Sequence, residues 1–198
     1  MSYNYYYDTI ILAGGLSKRF GIDKCSFEIN SKTMLDRVID QFPDPIVVSR
    51  TNRVISKGII VVEDGDYMGP IKGIRAGLKY VKERKVFITG CDFPFITVNI
   101  ADYLCSKNGY DIVMVVDEKP QPLLACYSTA FLERNLSKVK KLTELLTLSH
   151  STYLAGSQEI IRADPFLYST INVNSIVDLV LRPRRIKSLS RLIVNNLL

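Results

Sequence analysis

The chain has 198 residues, 47% of them hydrophobic and 23% charged, so it can bury a sizeable core and lacks the composition of a disordered segment. No apolar run approaches the roughly 20 residues needed to cross a bilayer, and the opening Met1-Ser2-Tyr3-Asn4-Tyr5 has no basic leader character, so the expected location is cytoplasmic, with no membrane partner. The net charge of +6 is concentrated near the end, at Arg182, Arg184, Arg185, Lys187 and Arg191, which disfavours a broad nucleic-acid-binding face.

In chain order, Tyr6 to Leu12 reads as a first strand ending in Ala13-Gly14-Gly15. Thr33 to Phe42 carries a helical stripe (Met34, Leu35, Val38, Ile39, Phe42) that Pro43 and Pro45 stop. Ile46 to Ser49 and Gly58 to Glu63 read as strands, and Ile71, Ile74, Leu78 and Val81 mark a second helix. Val86 to Thr89 is a fourth strand, Ile100 to Lys107 a helix, and Asp111 to Val116 a buried strand. Pro122 to Ser128 reads as a strand with its proline at the start, where a missing donor is tolerated.

Helices are expected over Thr129 to Ser149, with a break. A strand near Phe166 to Val173 and a helix from Ser175 to Leu181 follow. Strands alternating with helices of this length predict an α/β protein: a three-layer αβα sandwich around a Rossmann-like, mostly parallel sheet. One domain is expected over residues 1–182. Past Pro183, residues 183–198 form a basic amphipathic helix (Ile186, Leu189, Leu192, Ile193, Leu197) expected to pack on the same domain.

The four cysteines, Cys25, Cys91, Cys105 and Cys126, form no CxxC pair, and His150 is the single histidine. A zinc site or a histidine base is therefore not expected. The cysteines read as small buried hydrophobes kept reduced.

Ligands of open α/β sheets bind outside the carboxyl ends of the strands, so the residues after each strand carry the chemistry. After the first come Leu12, Ala13, Gly14 and Gly15, then Arg19 and Lys24. Adjacent glycines let backbone N–H groups face an anion, and the two cations suit triphosphate oxygens. Neither GxxxxGK[ST] nor GxGxxG is present. After the fourth strand stands Asp92, a carboxylate able to hold Mg²⁺ together with substrate phosphates, or else to cap the next helix. Asp66, ahead of Gly69-Pro70, could accept the adjacent N–H donors of guanine, and Asn52, after the second strand, is a weaker nucleotide contact.

Taken together, Leu12-Ala13-Gly14-Gly15-x-Ser17-x-Arg19-x-Gly21-x-Asp23-Lys24, Gly69-Pro70-Ile71-x-Gly73-Ile74 and Cys91-Asp92-Phe93-Pro94 resemble the molybdenum cofactor guanylyltransferase (MobA-like) family. Gln121 to Tyr127, and Thr170 to Asn174 with Val177-Asp178-Leu179, are similar to two later segments of that family. Ser175-Ile176 stands where the family carries Thr-Pro.

The resemblance implies transfer of GMP from GTP to Mo-molybdopterin, giving the guanine dinucleotide cofactor and pyrophosphate, with Mg²⁺ as cofactor. Arg19, Lys24 and Asp92 would be catalytic, with Asp92 on the metal. Leu12, Ala13, Gly14, Gly15, Lys24, Asn52, Asp66, Gly69 and Asp92 would contact the nucleotide, and Asn172 and Asn174 the acceptor phosphate. Related cytidylyltransferases carry Ala-Ala-Gly where this chain has Ala13-Gly14-Gly15, which favours GTP. Molybdoenzyme maturation proteins are further candidate partners. Two alternatives stay open: transfer to another acceptor (a cytidylyl version, a phosphosugar or 2-phospholactate), and a non-catalytic nucleotide-binding adaptor for molybdoenzyme maturation.

Overall fold

The structure, a computed structural model, describes residues 6–14, 23–62, 69–175 and 177–179. The expected terminal helix over 183–198 lies outside these residues.

Alternating side chains of the strands give the sheet two apolar faces, and each is covered by helices. The strands are β1 (Asp8–Leu12), β4 (Ile46–Ser49), β5 (Ile59–Val62), β6 (Lys85–Gly90), β7 (Ile112–Asp117), β8 (Lys119–Ser128) and β9 (Thr152–Ala155), with a separate hairpin of β2 (Glu28–Ile29) and β3 (Lys32–Thr33). The large sheet has the order β5-β4-β1-β6-β8-β7-β9. β1 pairs in parallel with β4 and β6, as do β4 with β5 and β7 with β9; β8 is antiparallel to both its neighbours.

One face buries Ile11, Val47, Phe87, Val113 and Cys126 against helices α1 (Met34–Ile39), α3 (Val98–Ser106) and α6 (Ser157–Ile160). The other buries Ile10, Val48, Ile88, Met114 and Tyr127 against α2 (Pro70–Leu78), α4 (Thr129–Asn135) and α5 (Leu145–Leu148). This is the expected three-layer α/β architecture with a mostly parallel sheet. No helix among the described residues is long and apolar enough to cross a membrane.

Local signals account for the helix starts near the site. Thr33 caps α1 by accepting a hydrogen bond from Asp36 N at 3.0 Å. Gly69 caps α2 with φ at +80°, a left-handed value that glycine adopts without steric cost, and Pro70 occupies the first turn, where its missing N–H is harmless.

Several expectations are corrected. The strand expected near Phe166 to Val173 is a 3₁₀ turn, Tyr168–Thr170, followed by extended chain outside the sheet. The edge strand is instead β9, whose short run between polar residues gave little periodicity. The β2–β3 hairpin turns on Asn30 and Ser31 at φ of 50° and 61°, without a glycine to announce it.

β8 begins before Pro122 and includes Pro120 as well. The prolines are tolerated because pairing with β6 starts at Leu124, and pairing with β7 is irregular between Met114 and Val116. The cysteines are buried, as expected, but they are not free thiols. Cys25 pairs with Cys91 across 66 residues and Cys105 with Cys126 across 21, with Cα separations of 5.6 and 5.3 Å that suit a disulfide.

Candidate active site at the carboxyl edge of the sheet

Chain connections diverge at β1: β4 follows it on one side, while β6 lies on the other. This is the topological switch point at which α/β sheets open a crevice. β1 and β6 end level, with Leu12 opposite Gly90. Beyond them, Cys91 N donates to Leu12 O at 3.0 Å and Ala13 N donates to Val48 O at 2.7 Å, pinning the end of β1 between both neighbours. Gly14 comes next. A Cβ there would stand 3.3 Å from Arg50 Cγ and 3.6 Å from Arg50 N, so the turn passes close to the end of β4.

Lys24 opens a 3₁₀ turn, Lys24–Ser26, that Asp23 caps by accepting from Cys25 N at 3.2 Å and Ser26 Oγ at 2.7 Å. Arg53 Nη1 lies 2.6 Å from Asp23 Oδ2, and Arg53 Nε donates to Ser49 Oγ at 2.8 Å. Burial pushes the Asp23 pKa up, but the Arg53 and Ser26 hydrogen bonds, the Arg53 charge and the Cys25 amide outweigh it and hold the carboxyl below its ordinary 3.8.

From this turn, Lys24 Nζ reaches Asp92 Oδ2 at 3.4 Å and Asn174 Oδ1 at 3.3 Å. The Lys24 and Asp92 side chains are 14% and 17% exposed, so their attraction is screened less than that of a surface pair, and both stay reachable from solvent.

Asp92 is set by two further contacts. Its backbone carbonyl accepts from Val173 N at 2.8 Å, which ties the C-terminal segment to the end of β6. Its side chain folds back over Gly90, where an added Cβ would come 2.3 Å from Asp92 Oδ1. Asn174 is held in turn by Asp178, whose Oδ2 accepts from Asn174 N at 2.9 Å and Ser175 N at 2.8 Å.

Of the residues singled out from sequence, Lys24 is brought within reach of both Asp92 and Asn174. Leu12, Ala13 and Gly14 lead out of β1 beside them. Asn52 is exposed after β4 and Gly69 stands at the start of α2. Asn172 Oδ1 is buried without a hydrogen-bond partner among the described residues, one residue before the Val173–Asp92 link. Gly15, Arg19 and Asp66 lie outside the described residues. Arg50 and Arg53 escaped the sequence reading; their signal was a pair of cations directly after an apolar strand, in Ser49-Arg50-Thr51-Asn52-Arg53.

Among the described residues no group of three or more His, Cys, Asp or Glu side chains is assembled for a metal. Mg²⁺ does not require such a group, because this hard ion keeps several waters and is held by one or two carboxylates plus substrate phosphates. Asp92 supplies such a carboxylate.

The fold agrees with that of molybdopterin-guanine dinucleotide biosynthesis protein A from Archaeoglobus fulgidus, at a TM-score of 0.71 and 23% identity, over 92% of this chain and 97% of that one. The class of the protein, a nucleotidyltransferase acting on a phosphorylated acceptor, follows from its family and its curated relatives. The model of the MobA-like NTP transferase domain matches residues 9–153, and the chain belongs to that family.

Curated relatives include a molybdenum cofactor guanylyltransferase of Desulfosudis oleivorans, 30% identical over 84% of this chain and 89% of that protein. A probable molybdenum cofactor guanylyltransferase of Aquifex aeolicus is 27% identical over 85% of this chain and 86% of its own length.

Proposed function

We propose that the protein transfers GMP from GTP to Mo-molybdopterin, releasing pyrophosphate. The observation that carries this reading is the meeting of Lys24, Asp92 and Asn174 at the crevice between β1 and β6. The names of its relatives as guanylyltransferases and the Ala13-Gly14-Gly15 sequence support GTP as the donor.

An acceptor phosphate oxygen attacks the α-phosphorus of GTP in line. The new P–O bond forms as the bond to the β-phosphate oxygen breaks, and pyrophosphate leaves with the electron pair. The Gly14 turn lets the triphosphate approach the backbone, and Lys24 Nζ meets the charge that grows on the leaving group. Asn174, braced by Asp178, and Asn172 orient the acceptor phosphate, so that attack is effectively intramolecular. Asp92 would hold Mg²⁺, which when bound neutralises and orients the α-phosphate. Before substrate arrives, the Lys24–Asp92 pair keeps both charges compensated.

Purified protein with Mg²⁺ and Mo-molybdopterin, offered each of the four nucleoside triphosphates in turn, should release pyrophosphate with GTP at least about tenfold faster than with the others. Asp92→Ala should lower turnover by about 10²-fold or more and leave the melting temperature nearly unchanged. Faster turnover with CTP would replace the donor assignment, and undiminished turnover of the variant would remove Asp92 from the mechanism.

A further inference from the structure

Each partner of the Cys25–Cys91 disulfide is the immediate chain neighbour of a proposed reacting-site residue. Cys25 follows Lys24 and Cys91 precedes Asp92, so the covalent bond lies one residue from the Lys24–Asp92 pair along each segment. We propose that this disulfide is a positioning element of the nucleotidyl-transfer site: it clamps the turn that carries Lys24 to the strand end that carries Asp92, and so sets the geometry on which turnover depends. The inference rests on the function proposed above.

The Lys24 turn is three residues long. Asp23 caps it and pairs with Arg53, Phe27 N donates to Lys24 O, and Met34 N donates to Phe27 O. The end of β6 is fixed by the Leu12 carbonyl on one side and by Val173 on the other. The disulfide therefore joins a short turn to the end of a central strand. Both its cysteines are buried, at 2% and 4% exposure, so the bond also lies in the packed layer beneath the two charged side chains. Lysine has four rotatable carbons between backbone and charge, and drift of its backbone multiplies along them. A misplacement of about 1 Å in such a site can cost about 10²-fold in rate.

Cys105–Cys126 supplies an internal comparison. It joins α3 to β8, and neither of its cysteines adjoins a proposed site residue. Both disulfides restrict the unfolded chain and stabilise the fold. Cys25–Cys91 alone of the two is placed to act on chemistry.

The test compares full-length Cys25→Ser/Cys91→Ser with Cys105→Ser/Cys126→Ser. Both should melt at lower temperature than the parent protein. The first should lose about 10- to 100-fold in kcat with KM for GTP within about threefold, and its Lys24 should be labelled by an amine-acylating reagent about threefold faster or more. The second should match the parent in both readouts.

Should the first variant fail to fold, the Cys105→Ser/Cys126→Ser protein still serves, because Cys25–Cys91 is then its remaining disulfide. A dithiol reductant passes two electrons and two protons to that bond, leaving two thiols and its own cyclic disulfide. Reduction should lower kcat and expose Lys24, and reoxidation by a small-molecule disulfide, which takes the two electrons and two protons back, should restore both. Unchanged kcat and unchanged labelling after loss of the bond would overturn the clamp. If the parent protein releases no pyrophosphate with any nucleotide, the functional reading fails by itself, and the Lys24 labelling rate alone then decides for or against the clamp.

Discussion

At the scale of single residues the site depends on what is absent from Gly90 as much as on what Asp92 presents. The Asp92 carboxylate occupies the space a Cβ would take, 2.3 Å from Oδ1. Gly90→Ala must therefore displace the Asp92 carboxylate, while the strand hydrogen bonds between β6 and β1 can persist. Turnover should drop by about tenfold or more, with the melting temperature within a few degrees of the parent, because a displaced partner forfeits its share of charge stabilisation. Equal kcat for Gly90→Ala and the parent would show that Asp92 need not fold back to act. Arg53 makes the complementary point: it acts through Asp23 and Ser49, so its charge shapes the Lys24 turn from behind.

Among the elements, the β9 edge shows how a weakly patterned strand is held. Tyr153 on β9 and Tyr103 on α3 both donate to Glu159 on α6, Tyr103 at 3.0 Å, and Lys107 lies 4.6 and 5.1 Å from the two ring centroids. The hydrogen bond to Glu159 keeps Tyr153 as the neutral phenol, and desolvation and the Glu159 charge add to it, so its pKa is pushed up to about 12. The sign is fixed by charge: a phenolate beside a carboxylate is disfavoured, so deprotonation needs higher pH. Glu159→Gln removes the negative charge, and phenolate ultraviolet absorbance should then show Tyr153 titrating back toward 10.0. No change in the titration would mean that burial, and not Glu159, sets it.

For the molecule as a whole, the sheet beneath the site is filled on both faces. Phe87 lies at the middle of β6, 0% exposed, with ring centroids of Phe42 and Tyr7 at 5.7 and 6.5 Å. Phe87→Ala leaves a cavity under the strand that carries Asp92. The expected loss is about 3–5 kcal/mol of unfolding free energy, read from denaturant midpoints. A loss below about 1 kcal/mol would show that the core collapses into the gap.

The fold class was legible because buried parallel strands write themselves as short apolar runs. Ile46 to Ser49 is found with the expected bounds, and β5, β6 and β7 lie within a residue of theirs. The glycine turn, Lys24 and Asp92 were legible for a related reason: loops after parallel strands gather at one edge whatever the details of packing.

Linear order alone could not decide what long-range proximity creates. Cysteines 66 and 21 residues apart carry no local sign of pairing, and only the tertiary fold brings them within bonding distance. The same holds for Asn174, which reaches Lys24 from 150 residues away, and for β8, placed between β6 and β7 where nothing in its periodicity tells antiparallel from parallel. Sequence by itself determined most of the local elements and the candidate residues of the site, because both follow from nearest neighbours along the chain. Tertiary structure alone decided which of them meet, because those contacts depend on how distant segments share one sheet.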